Sequence, residues 1–160
     1  MKTLYDVCKP RESVFDESKR DDTLDLSNLL DDSIDGEEFF KETYITEGMN
    51  LLFDTAFKRF EGKSASGIIK LTQAMGGGKT HNMLALGVLA KSKKVREEVL
   101  NGKFKNFDKD INVVAYTGRE SDLKFGIWGE IADQLGKRDY FKDYYSPGRR
   151  WRSRPRSRTR

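Results

Sequence analysis

The 160-residue chain has one cysteine, Cys8, and one histidine, His81. A lone cysteine excludes an internal disulfide framework and any cysteine-rich metal site, and a lone histidine excludes a histidine-based metal cluster. Long apolar runs are also scarce. The first eight residues carry Lys2 and Asp6 with no signal-like apolar stretch, and the uncharged run at 80–90 is too short to cross a bilayer. These features point to a reducing compartment, the cytoplasm, with no membrane partner. Length and a 36% hydrophobic content suit at most one domain.

Charge is present but unevenly placed. The formal net charge is +4, yet residues 149–160 hold seven of the 30 Lys and Arg and no acid, so the rest carries 23 bases against 26 acids, a net of −3. Residues 1–43 alone carry six bases against thirteen acids. Three segments follow: an acidic N-terminal arm (1–43), a central region (44–147) and an arginine-rich tail (148–160) of composition unsuited to folding. In the arm, Val14-Phe15 and the apolar group at 24–30 are suited to docking on a neighbouring surface as a short strand or helical turn; a loosely ordered leader is the alternative.

Within the central region, Met49, Leu52, Phe53, Ala56, Phe57 and Phe60 recur at helical spacing and predict an amphipathic helix, with Thr46 as N-cap and Gly62 as stop. The β-branched run 68–72 reads as a buried strand, followed by a glycine loop and an apolar helix to Lys91. A helix over 94–100, a second buried strand at 111–116, a polar loop at 117–122 and a helix around 127–135 complete the pattern. Strand, helix, strand implies a parallel pair with a right-handed crossover. The expected class is therefore α/β: a partial, AAA-like P-loop NTPase parallel sheet with flanking helices, preceded by the acidic arm and the amphipathic helix.

The chemistry lies in Gly76-Gly77-Gly78-Lys79-Thr80-His81. A nucleoside triphosphate needs convergent backbone N–H groups, a cation reaching its β and γ phosphates, and a magnesium ligand. Glycines let the backbone wrap the phosphate at positive φ, and the following helix adds the partial positive charge of its N-terminus. Lys79 supplies the cation, the Thr80 hydroxyl a ligand for magnesium, and His81 a backbone N–H. The consensus asks for glycine at position 73, where this chain has Gln73. An incidental glycine turn is the competing reading.

The stretches 2–10, 44–49, 71–81 and 115–120 resemble a group of large prokaryotic P-loop ATPases, domain-of-unknown-function family 499. The resemblance covers residues 1 to about 147 and is most specific at 71–81. It implies an ATP-binding, AAA-like core within a longer protein, in which the atypical first loop position is usual, and a genomic setting near DNA methyltransferases and restriction or phage-defence genes. The implied ligands are ATP and Mg, and the implied partners are other ATPase subunits or defence-system proteins. By this reading the chain is an N-terminal fragment whose ATPase core stops partway.

Hydrolysis asks for a Walker B carboxylate and a group that orients water, often with an arginine finger. No apolar strand here ends in Asp-Glu. Glu120 and Arg119 are the candidates, against a plain solvated loop. The tail has two explanations: a nucleic-acid-binding segment with steep salt dependence, or a change of reading frame near Pro147 that leaves a foreign peptide on a truncated, non-functional product. The second fits better, because the resemblance and the folded composition end within the same few residues.

Overall fold

The computed structural model of the chain describes residues 3–10, 15, 24–72, 74–104, 106–117 and 126–142. Its elements in order are α1 (Leu4–Val7), a 3-10 helix (Leu26–Leu29), α2 (Gly36–Glu42), α3 (Glu47–Phe60), α4 (Lys79–Lys91), α5 (Lys93–Val99), α6 (Gly126–Gln134) and α7 (Arg138–Lys142). The tail 148–160, Gln73, Arg119 and Glu120 lie outside the described residues.

Helix α4 is the axis of the fold. Leu84, Ala85, Gly87, Val88, Leu89 and Ala90 are all buried, so apolar positions run nearly round the helix rather than along one stripe. A helix of that kind needs neighbours on several sides. The 3-10 helix, α2, α3 and α5 all pack on it. Helix α3 contributes Met49, Leu52, Phe53, Ala56 and Phe57, and the Thr46 side chain accepts from the Met49 N–H to cap it. Phe53 and Phe57 are fully buried; burial of each side chain stabilises by about 1.5–3 kcal/mol. Helix α2 starts at Asp35, whose carboxylate accepts from the Glu37 and Glu38 N–H groups at 2.9 and 3.1 Å.

The 3-10 helix lies hard against α4. A Cβ on Gly87 would meet Leu29 Cδ1 at 2.6 Å, so only glycine admits Leu29 at this distance. Lys91 at the far end of α4 donates to the Leu29 carbonyl at 2.6 Å and pairs with Asp32. The resulting cluster takes Leu29 and Phe39 together with the α3 and α4 side chains, Val95, Phe104, Phe107 and Ala115.

The expected parallel sheet is not what the chain forms. No strand occurs among the described residues, and the regular structure is helical. Ile68 is 88% exposed, in place of the burial predicted for it. Leu71, Ile111 and Val113 still pack against the core and Ala115 enters it, so both runs contribute side chains without a backbone ladder. The reason lies in what β-branching measures, which is fit to a pleated, half-buried surface supplied by other strands. Two short parallel segments alone would expose both edges. At Ala115 the backbone is satisfied by a side chain instead: its N–H donates to Gln134 Oε1 at 3.0 Å, and Gln134 Nε2 donates back to its carbonyl at 2.8 Å. This amide reproduces the two-bond exchange of a paired strand residue and ties α6 to the segment. No helix among the described residues is long and apolar enough to cross a membrane.

Candidate phosphate-binding site

The glycine loop turns tightly before α4. Gly77 N–H donates to the Ala74 carbonyl at 3.1 Å. Gly76 has φ 77° and Gly78 φ 72°, both left-handed, and Gly78 is the N-cap of α4. Residues with a Cβ adopt that region only at a cost of roughly 1–2 kcal/mol, which accounts for glycine at both places. From Gly78 the chain enters α4 with Lys79, Thr80 and His81 as its first turn. The early N–H groups of the helix have no intrahelical acceptor and carry the positive end of its dipole. Asn82 closes the turn, its backbone and side-chain nitrogens donating to the Gly78 carbonyl at 2.9 and 2.8 Å.

All six loop residues singled out from the sequence, Gly76, Gly77, Gly78, Lys79, Thr80 and His81, line one cavity of about 510 Å³. Its remaining lining is Leu24 and Leu84. No carboxylate lines it among the described residues. Lys79 Nζ donates to the Ala74 carbonyl at 2.8 Å, which folds the ammonium back over its own loop. The Thr80 side chain is on an exposed first-turn position. No group of three or more His, Cys, Asp or Glu able to hold a metal occurs among the described residues. A magnesium ion at Thr80 would thus take most of its ligands from phosphate and water, the usual arrangement for this ion.

His81 is braced from α2. Its ring stacks on Phe39, with centroids 4.8 Å apart and planes at 25°, and its Nε2 lies 3.0 Å from Thr43 Oγ1. Thr43 donates its single hydroxyl proton to the Phe39 carbonyl at 2.7 Å. The hydroxyl can then only accept from His81, which makes Nε2 the protonated ring nitrogen. Phe39, Thr43 and Asn82 were not singled out by sequence, whereas Leu24 opens the apolar group at 24–30 expected to dock on a neighbouring surface. Of the first three, only Asn82 had a local signal, as the side chain four residues after the N-cap glycine.

One comparison bears on the loop and the fold together. Residues 11–125 match the model of the DUF499 N-terminal domain. The chain belongs to the DUF499 family. The match takes in the glycine loop, α2 to α5 and the 3-10 helix that packs on α4. No curated protein and no solved structure matches the chain.

Proposed function

We propose that this DUF499 chain binds ATP with Mg through residues 76–81, as part of a prokaryotic P-loop ATPase associated with restriction or phage defence. The observation that carries the reading is the convergence of two left-handed glycines, the first turn of α4 and Lys79 on a single cavity. The loop N–H groups would take phosphate oxygens. Lys79 would exchange the Ala74 carbonyl for the β and γ phosphates, and Thr80 would hold magnesium. Magnesium supplies charge neutralisation between the phosphate oxygens. The proposed act is binding. Hydrolysis draws on a carboxylate that holds the ion or orients water, and Glu120 and Arg119 lie outside the described residues.

The test is thermal unfolding of the full chain with and without ATP-Mg. At about a hundredfold excess over Kd, binding stabilises by about 2.7 kcal/mol, which raises the Tm by roughly 5–10 °C for a chain of this size. Lys79→Ala is expected to abolish the rise. An equal response in wild type and variant would overturn the assignment.

A further inference from the structure

The contact between Thr43 and His81 spans 38 positions of sequence and joins α2 to the first turn of α4. It is built from both sides. Phe39, 7% exposed, stacks on one face of the imidazole, and the Thr43 hydroxyl takes its edge. That hydroxyl is itself fixed by the Phe39 carbonyl, one of the last four carbonyls of α2, which a helix end leaves without an intrahelical partner. One short circuit therefore closes the C-terminus of α2 and sets the rotation of a ring on the wall of the phosphate cavity. His81 directly follows the lysine and threonine that the loop presents, in the same first turn of α4.

We propose that Thr43 and Phe39 are positioning residues for the phosphate cavity, acting through His81, which they hold with Nε2 protonated and turned toward α2. The inference rests on the nucleotide reading above and adds to it the residues of α2 and its C-cap that orient His81. His81 touches the cavity, whereas Thr43 and Phe39 do not line it.

The sole histidine makes the test direct. In the full chain carrying 15N-histidine, the long-range 1H–15N spectrum at mildly alkaline pH contains one imidazole. The expected result is a protonated Nε2 with an observable ring N–H in wild type and in Thr43→Ser, and loss of that proton signal in Thr43→Val. ATP-Mg affinity, measured by calorimetry well below the Tm of every variant, is expected to fall about fivefold in Thr43→Val, the effect of one hydrogen bond, and to return to within about twofold in Thr43→Ser. A merely structural threonine would lower the Tm and leave this affinity unchanged. A bare Nε2 in wild type, or equal affinities in wild type and Thr43→Val, overturns the proposal. If wild type itself ignores ATP-Mg, the nucleotide reading fails and takes this inference with it. Binding lost in Lys79→Ala but untouched by Thr43→Val removes only the positioning role.

Discussion

The guanidinium of Arg96 donates to the backbone carbonyl of Phe107 at 3.2 Å while lying over that residue's ring, 5.3 Å from its centroid. The other arm donates to the Leu89 and Ala90 carbonyls at the end of α4, and the ring of Phe57 lies on the same cation. Arg96 is 3% exposed, the one buried charged residue among the described residues. Burial pushes its pKa down, with Glu97 and Asp108 opposing, and the carbonyl dipoles and aromatic faces take the place of a carboxylate partner.

Replacing this side chain leaves three carbonyls without their donor in a dry setting. Arg96→Ala is expected to cost about 3 kcal/mol in equilibrium urea unfolding. Arg96→Lys should recover only part of it, because one ammonium cannot span the fork between α4 and Phe107. A loss below about 1 kcal/mol in Arg96→Ala would contradict the role given to the cation.

Asp54 on α3 lies 2.5 Å from Lys58 and also pairs with Lys103 beyond α5. Hydrogen bonds from Lys103 and then Lys58 hold its carboxyl below the ordinary 3.8. A carboxyl depressed in the folded state contributes stability above its unfolded value, and that contribution disappears as pH falls through the folded value. Wild type should therefore exceed Asp54→Asn in stability at pH 6, and the gap should close between roughly pH 5 and pH 2. Urea midpoints across that range measure it. A constant gap would show that the ion pairs carry none of the difference.

Gln134 holds Ala115 by both backbone groups. In Gln134→Ala the Ala115 amide is expected to exchange with solvent about tenfold faster or more, with little change in the amides of α3. Native-state hydrogen exchange followed by NMR reads both. Unchanged protection at Ala115 would mean that the segment 111–117 is held by its side chains alone.

Thr80→Ala separates the metal from the nucleotide. If its hydroxyl takes magnesium, the magnesium concentration for half-maximal stabilisation by ATP should rise roughly tenfold, equivalent to about 1.4 kcal/mol. Tm titrations with magnesium at fixed ATP measure this. Coincident curves for wild type and variant would remove Thr80 from the metal site.

Helices α3 to α6 were legible in the sequence, whereas α2, within the acidic arm, was not. The spacing of Met49, Leu52, Phe53, Ala56 and Phe57 matches the buried face of α3, and Thr46 caps it as expected. The glycine loop could be read because its conformation is local: Gly76 and Gly78 need only their own missing Cβ atoms to turn. Strand formation depends on neighbours, so the runs containing Ile68 and Val113 were misread as a sheet. Arg96 was hidden for a related reason. In the stretch 93–98 four other charges surround it, and a cation there reads as part of a solvated face unless the position of Phe107 is known. The bracing of His81 by Thr43 was out of reach for the same reason, since no local pattern links positions 38 apart.

The path of residues 24–32 gives this part of the acidic arm a mechanical meaning. Leu24 is at the cavity beside the first turn of α4, Leu29 presses on Gly87 near its middle, and Lys91 at its last turn grips Leu29 and Asp32. Nine residues thus run alongside a 13-residue helix about 20 Å long, in the same direction, pinned to it at Leu29 and Asp32. A protease that cut within 24–32 would unclamp the helix that bears Lys79, and a phosphate ligand seated at its start would slow that cut.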